Sequence, residues 1–319
     1  MPTGTALDAQ IGYVAESAWN TAATVTRFIP LVSETLKAEI SPIESADIIT
    51  GRQVPTSQQW AQGNKTVGGD VQHEFYVDAT GLLLRAAFGT VNTAAAGGTG
   101  VHTFWPASPS VSLTAQVGRP LVYGTVQPFT YTGCKVQSWE LAGAAGEFLT
   151  WGMSLMGAEE FMGTGLASAS FATNLKRWSF RHATIKVDGT TVPVKSYRIG
   201  GDNKMAERRF LGSTIISEPL REDLAEYAGE FVAEWGNPSS AGTNLYARYV
   251  EGAEATLVAS MTYGTNAGTI TANVRFDGGT PNVGGRGIIE HPIPFKCVAS
   301  GSLDEHALKV VITNNDSTA

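Results

Sequence analysis

The sequence feature that most constrains the fold is the alternation of apolar and polar residues over many short runs. Successive side chains of a β-strand point to opposite faces of a sheet, so an alternating run predicts a strand with one buried face. Runs of this strand-like character are residues 36–40, 71–77, 121–125, 134–141, 148–155, 185–187, 269–276 and 308–313. Glycine accounts for 36 of the 319 residues and favours tight turns between such strands. We therefore predict a mainly β chain.

Helical signals are confined to two short runs, residues 80–89 and 244–250. Glycine readily adopts the left-handed conformation that closes a helix. Gly89 and Gly252 are therefore expected to end these two helices. Each helix is predicted to flank a β-domain rather than to form a bundle.

The same landmarks occur in the same order in both parts of the chain. A strand that contains Gly69 or Gly229 precedes each helical run, and a strand that contains Cys134 or Cys297 follows it. This order predicts a tandem duplication, although two β-domains could also share such common turn, helix and strand signals without being duplicates. The predicted units are a first domain at residues 1–160, a linker of small residues at 161–175, and a second domain at 176–319.

Charge and cysteine content exclude several classes of protein. The formal net charge is −7 and no run of Lys and Arg occurs, so direct DNA binding through a basic patch is disfavoured. Two cysteines are too few for a disulfide framework, and both are predicted to be buried free thiols. No apolar run approaches the roughly 18 residues that cross a bilayer, so we expect no membrane role.

No residue pattern indicates catalysis, a metal or a cofactor. The five histidines are scattered without the spacing of metal ligands. The sequence GMSLMG at residues 152–157 resembles the turn of a catalytic serine but has one residue too many before the second glycine. Glu159 and Glu160 are adjacent in sequence, which favours solvation over a paired catalytic role. We predict that the protein is not an enzyme.

Four tryptophans leave two interpretations open: Trp19, Trp60, Trp105 and Trp139. They could line a sugar-binding face, or they could anchor the core and interfaces. Their scattered positions favour anchoring.

Several segments resemble the tail tube proteins of long-tailed, siphovirus-type bacteriophages. The run GYVAESAWNT at residues 12–21 is similar to the opening of that family, and RFIPL at 27–31 and KTVGGD at 65–70 follow in the same order. Later segments with the same likeness are residues 131–136, 139–141, 180–189 and 307–314. The resemblance covers nearly the whole chain, and its motifs are structural.

The resemblance implies two tandem β-sandwich or β-barrel domains of the tail-tube type, each with one short flanking α-helix. It implies a virion protein, made in the cytoplasm of the bacterial host, that polymerises as stacked rings around a lumen. DNA would pass through this lumen without specific binding. The implied partners are further copies of the chain, the tape measure protein, the tail terminator and distal tail proteins.

The resemblance also directs attention to two sets of residues. Acidic candidates for the lumen wall lie on alternating strands: Glu39, Glu74, Glu140, Glu230 and Glu234. Candidates for contacts between stacked rings are aromatic: Tyr13, Trp19, Phe28 and Trp60.

The predicted duplication affects the expected symmetry. Rings of this kind usually contain six tube domains, so three chains with two domains each would close a ring of pseudo-sixfold symmetry. The alternative is a true hexamer in which the second domain is an outer decoration. A different function is also possible from the sequence, namely a virion decoration or carbohydrate-binding β-sandwich module. A polysaccharide-degrading β-enzyme is the least favoured alternative.

Overall fold

The computed structural model describes residues 4–96, 99–122, 124–172, 175–236, 245–278, 280–300 and 306–318. Within these ranges the chain forms short strands and two α-helices, which confirms the predicted mainly β class. The elements of the first half are β1 (Gln10–Ala15), β2 (Arg27–Phe28), β3 (Ser33–Glu34), β4 (Lys37–Ile40), β5 (Ile43–Glu44), β6 (Trp60–Ala61), β7 (Lys65–Glu74), α1 (Gly81–Phe88), β8 (Gly89–Ala96), β9 (Thr99–Pro106), β10 (Leu113–Pro120), β11 (Val126–Ala144), β12 (Thr150–Gly157) and β13 (Glu159–Phe161).

The elements of the second half are β14 (Ala183–Val187), β15 (Thr190–Val192), β16 (Val194–Asp202), β17 (Met205–Arg208), β18 (Ser217–Arg221), β19 (Glu226–Glu234), α2 (Leu245–Glu251), β20 (Glu254–Tyr263), β21 (Asn266–Phe276), β22 (Glu290–Cys297) and β23 (Leu308–Asn314). Both predicted helices are confirmed. Gly89 and Gly252 follow them with φ of 85° and 66°, as a glycine stop requires. Asn244, which the sequence placed at the start of the second helix, lies outside the described residues.

One antiparallel sheet, which we call the long sheet, runs through both halves of the chain. Its strand order is β3 and β4, one after the other along the same edge of β7, then β12, β11, β16, β19 and β22. The junction between the halves is the pairing of β11 with β16, where Leu141 lies opposite Ile199. The two halves therefore share one hydrogen-bonded surface.

A second sheet, the facing sheet, also draws on both halves. Its order is β8, β9, β23, β21, β20, β14 and β15, all antiparallel. A third, the N-terminal sheet, contains β2, β1, β10, the first part of β11 and β13. The sheets remain open, so the described chain is a sandwich rather than a closed barrel.

The long and facing sheets enclose the hydrophobic core. In the second half, Phe231 of β19 contacts Phe276 of β21 edge to face, with ring centroids 6.2 Å apart. In the first half, α1 fills the space between the layers, and Phe88 lies 4.8 Å from the Trp139 ring of β11 and 6.5 Å from the Phe104 ring of β9. Every residue of α1 except Arg85 is buried. Burial of apolar side chains such as these stabilises the fold by about 25 cal/mol per Å² of apolar surface removed from water.

One strand prediction is wrong. Within residues 121–125, Leu121, Val122, Gly124 and Thr125 lie in the turn between β10 and β11, although the composition is strand-like, and Tyr123 lies outside the described residues. Gly124 has a φ of 86°, and the Leu121 N–H donates to the Thr125 carbonyl at 2.7 Å, which closes the hairpin. Val122 is 69% exposed at its tip. Turn geometry here overrides β-propensity, which is a weak preference when no neighbour covers the side chain.

The segment proposed as a linker is attached to the first half. It continues from the end of β13 without regular structure, and residues 173 and 174 lie outside the described residues. The Ala167 N–H donates to Gln116 Oε1 at 2.8 Å, and Gln10 Nε2 donates to the Ala167 carbonyl at 2.7 Å. Trp178, just beyond it, is fully buried. The division into two domains stays a prediction, since the two halves share their sheets.

His73 of β7 connects the long sheet to the N-terminal sheet and predicts a pH dependence. It is 1% exposed, its Nε2 lies 2.8 Å from the Tyr13 hydroxyl, and its Nδ1 lies 2.8 Å from the Pro30 carbonyl. Burial lowers the pKa of His73 to about 4. Between that value and the ordinary pKa of about 6.5, the unfolded state binds more protons than the folded state.

The free energy of unfolding is therefore expected to fall by about 2–3 kcal/mol as the pH is lowered from 7 to 4, through this histidine alone. Urea titrations of the native chain and of His73→Gln across this range measure the effect. The variant should have the shallower pH slope. Parallel curves would show that His73 is not responsible.

Candidate assembly surface

The exposed side of the long sheet is a continuous polar surface, which we call the polar face. One cross-strand row contains Gln72, Gly152, Glu140, Gly200, Ala228 and Lys296. Residues directly opposite each other in antiparallel strands lie on the same side of the sheet, so this row crosses both halves on one side. The alternate residues, such as Trp139, Ile199 and Phe231, are buried in the core. The sequence alternation thus separates one apolar and one polar surface.

All five acidic residues predicted from the sequence lie on the polar face. Their positions follow from the strand registers: Glu39 lies opposite Thr66, Glu74 opposite Thr150, Glu140 opposite Gly152, Glu230 opposite Arg198, and Glu234 opposite Glu290. The structure adds acidic residues that sequence reasoning missed: Asp70, Asp202, Glu226 and Glu290. Asp70 could have been found by extending the alternating run at residues 71–77 by one residue, and Glu226 begins the strand that contains Gly229. Glu290 begins the strand that contains Cys297, and Asp202 lies on a strand that the sequence did not predict.

Arg198, at the centre of this surface, bridges two carboxylates. Arg198 lies 3.8 Å from Glu140 and 3.9 Å from Glu230, all three on neighbouring strands. Such partly exposed pairs contribute little to stability, about 0–1 kcal/mol each. One cation for two carboxylates leaves an excess of negative charge.

Two lysines repeat this arrangement at the margins of the face. Lys204 lies 2.9 Å from Asp202 and 3.2 Å from Glu226, and Lys195 lies 2.7 Å from Glu290 and 3.5 Å from Glu234. Partial burial opposes ionisation of Asp202, but hydrogen bonds from Lys204 outweigh it and lower the pKa of this carboxyl. Asp202 is therefore a carboxylate at neutral pH.

Small residues make the centre of the polar face shallow. Gly200 and Ala228 form the floor of an open groove of about 420 Å³, with Glu140, Arg198 and Lys296 at its margins. The surface has no deep pocket there, and no group of three His, Cys, Asp or Glu side chains gathers as a metal site among the described residues. Such a surface can repel or guide a polyanion rather than hold a small ligand.

The four aromatic residues predicted for ring stacking lie in different environments. Tyr13 and Phe28 are 0% and 3% exposed, because they pack inside the N-terminal sheet region. Trp19 is half-buried, and its Nε1 donates to the Gly133 carbonyl at 3.3 Å. Trp60 is 54% exposed on β6. Of the four, Trp60 is the residue whose side chain is most available to a second molecule, and a stacking role stays a prediction for all.

The tryptophans considered for sugar binding do not share a face. Trp139 is buried and stacks on Trp151 at 5.2 Å, whereas Trp105 stacks on His306 at 5.4 Å on the facing sheet. Trp19 and Trp60 lie on the N-terminal segment and on β6. Stacking of a glycan would need several aromatic rings on one surface.

Two hairpins project beyond the long sheet, one from each half. The first hairpin, residues 41–64, connects β4 with β7 and contains β5 and β6. The second hairpin, residues 203–225, connects β16 with β19 and contains β17 and β18. Both have exposed apolar side chains, which are Ile43, Ile48, Val54 and Trp60 in the first and Phe210, Leu211, Leu220 and Leu224 in the second. Apolar residues exposed in this number mark a surface for association.

The comparisons with known proteins agree with this geometry. A family model described as "Phage tail tube protein" matches residues 6–297. No curated protein matches the sequence. Among the described residues, no helix has the length and apolar character needed to cross a membrane.

Proposed function

This chain belongs to the phage tail tube protein family, a structural component of the virion tail, and we propose that three chains form each ring of the tube. The observation that supports this proposal is the long sheet, in which strands from both halves share one polar face. Three copies supply six such half-chain segments, enough for a ring of pseudo-sixfold symmetry. A hexamer with the second half as an outer decoration would not need the second half to extend this sheet.

In the proposed ring, the polar face lines the lumen. Duplex DNA carries roughly one negative charge per 1.7 Å of its axis, so a wall rich in carboxylates keeps it from adhering during ejection. Glu140 and Glu230, which share the single Arg198, supply this repulsion on both sides of the junction between the halves. The small residues Gly200 and Ala228 leave the wall shallow there. DNA then passes without specific binding.

The remaining partners follow from the same proposal. Rings stack into a tube around the tape measure protein, and the tail terminator and distal tail proteins cap its two ends. The chain is made in the host bacterium and acts in the virion without catalysis or cofactor. The buried aromatic residues of the N-terminal sheet set the shape of the subunit, while exposed hairpin residues make the contacts.

A labelling experiment tests which face lines the lumen. Gln72→Cys places a thiol on the polar face, and Thr262→Cys places one on the opposite, outer side of the facing sheet. Both native residues are exposed in the isolated subunit. A polymer-linked maleimide too large for the lumen should modify both variants as free subunits. In assembled tubes we expect it to modify only Thr262→Cys.

The native chain serves as the control, because Cys134 is buried and Cys297 is half-buried. Equal labelling of Gln72→Cys in subunits and tubes would contradict the lumen assignment. Failure of the native chain to form tubes under any assembly condition would contradict the proposed function itself.

A further inference from the structure

The second hairpin of each chain lies on the first half of the same chain. Arg209 donates from its guanidinium to the Lys65 carbonyl and to the Thr66 hydroxyl, both at 3.0 Å. The Lys65 N–H donates to the Thr214 carbonyl at 2.8 Å. The hairpin thus leaves its own strands, β16 and β19, and reaches the far side of the first half at the start of β7.

A buried lysine, paired with the half-exposed carboxylate of Glu218, fixes this contact. Lys135 of β11 is 2% exposed, and its ammonium donates to Glu218 Oε1 at 2.7 Å and to the Pro219 carbonyl at 3.2 Å. A buried ammonium is costly unless it is paired and hydrogen-bonded. Lys135 belongs to the first half and both partners belong to the second hairpin, so the contact is part of the fold.

The first hairpin has the same position in the first half that the second hairpin has in the second half. Its own chain, however, offers no neighbouring half for it to cover. The first hairpin leaves β4 and returns to β7, as the second leaves β16 and returns to β19. Gly69 and Gly229 occupy corresponding positions in the two returning strands. The long sheet ends at β3 and β4, so no further half follows for the first hairpin to cross. Its Ile48 and Val54 are 94% and 71% exposed.

The second half has the complementary feature, an uncovered rim at the other end of the long sheet. If Gly229 corresponds to Gly69, then Ala225 and Glu226 correspond to Lys65 and Thr66, the residues that the second hairpin contacts. Leu224, beside them, is 83% exposed, and Lys296 at the adjacent end of β22 is also exposed. We call Leu224 and Ala225, the last residues of the second hairpin before β19, together with Lys296 the receiving rim.

The edge strand β22 does not favour a regular backbone ladder with another chain. Pro292 and Pro294 have no N–H to donate, and residues 295–297 already pair with the end of β21. Association at this edge therefore needs side-chain contacts in addition to strand pairing.

We propose that the first hairpin of one chain docks on the receiving rim of the next chain in the same ring. This contact repeats between chains what the second hairpin makes within one chain. The partner is a second copy of this protein, and the apolar residues Ile43, Ile48, Val54 and Trp60 become buried on its second half. The inference rests on the proposed ring, and it identifies the surface through which the ring closes.

Cysteine cross-linking tests the direction of this contact. Ala61→Cys places a thiol beside Trp60 on the first hairpin, and Asp223→Cys places one beside Leu224 at the receiving rim; both native residues are exposed. In a chain with both substitutions, mild oxidation of assembled material should link the hairpin of each chain to the rim of the next. Non-reducing electrophoresis should then show a covalent series that stops at three chains.

The matched control combines Asp223→Cys with Val122→Cys, since Val122 is also exposed but lies at the turn between β10 and β11. It should give no such closed species. A ladder that continues beyond the ring size, as expected for contacts between stacked rings, would overturn the inference. So would cross-links confined to a single chain. In either case, tubes visible by electron microscopy would leave the proposed function standing.

A second variant measures the strength of the contact. Trp60→Ser should leave thermal unfolding of the subunit unchanged, because the side chain is half exposed. It should raise the protein concentration needed for assembly at least about tenfold, as loss of a buried tryptophan anchor does at interfaces. Val122→Ser is the control with no expected effect. Unchanged assembly of Trp60→Ser would contradict the proposed docking.

Discussion

Replacing Asn203 with alanine is expected to lower the free energy of unfolding by about 3–5 kcal/mol. Asn203 is completely buried at the base of the second hairpin. Its amide donates to the Ala87 carbonyl at 2.9 Å and to the Val136 carbonyl at 3.0 Å, and its Oδ1 accepts from Arg221 at 3.1 Å. Each lost bond leaves a buried group without its partner, which costs about 1–3 kcal/mol.

These bonds connect α1 and β11 of the first half to the hairpin of the second half. Their loss is therefore expected to weaken the contact between the two halves as well. Chemical denaturation of the purified subunit measures the change in the free energy of unfolding. Asn282→Ala, at an exposed position in the loop before β22, is the matched control and should change stability by less than about 0.5 kcal/mol. A loss below about 1 kcal/mol for Asn203→Ala would mean that the network does not hold the two halves together.

Gly69→Ala is expected to cost about 3–5 kcal/mol and to detach the edge of the long sheet. Gly69 has a φ of 148°, in the region that favours glycine. A Cβ at this position would lie 2.4 Å from the Thr35 carbonyl oxygen and 2.8 Å from the Leu36 nitrogen. Both contacts are with backbone, so no side-chain rotation can relieve them. The strand pair β3 and β4 would have to move away from β7.

The adjacent strand provides the control for this prediction. Gly152 lies on β12 in the same sheet, and a Cβ there would have no heavy atom within 4 Å. Gly152→Ala should therefore be neutral to within about 0.5 kcal/mol. Thermal unfolding of the two variants side by side distinguishes the backbone clash from a general loss of glycine flexibility. Equal Tm values would contradict the explanation.

Much of the polar face could be predicted from the sequence, because local alternation determines which side of a strand each residue occupies. For this reason the sequence alone predicts that Glu140 and Glu230 lie on the polar side of their strands. The pairing that brings them close, between β11 and β16, depends on contacts between distant parts of the chain. Alternation contains no information about strand partners, so the long sheet could not be predicted.

The landmarks used to infer a duplication differ in how well the structure matches them. Gly69 and Gly229 lie at corresponding positions in strands that precede a helix. Cys134 lies opposite Leu113 in the N-terminal sheet, whereas Cys297 ends β22 beside Val274. A cysteine in an apolar strand is a common core residue, so its recurrence identified a type of environment rather than a position.

The contacts that the second hairpin makes with the first half could not be predicted from the sequence either. Lys204, Arg208 and Arg209 lie close together in the sequence with Glu207 among them, a composition typical of a solvated loop. In the structure Arg209 donates to the Lys65 carbonyl across the sheet. A long-range hydrogen bond of this kind leaves no periodic signal, because its partner is 144 residues away.

A cryo-electron microscopy reconstruction of tubes assembled from the full chain would show directly how the chains form a ring. We expect three chains per ring, with both halves of each chain contributing to one inner wall. Glu140 and Glu230 should face the tube axis, and the first hairpin of each chain should cover the neighbour's receiving rim. Six chains per ring with the second half on the outside, or a polar face turned away from the axis, would contradict this expectation.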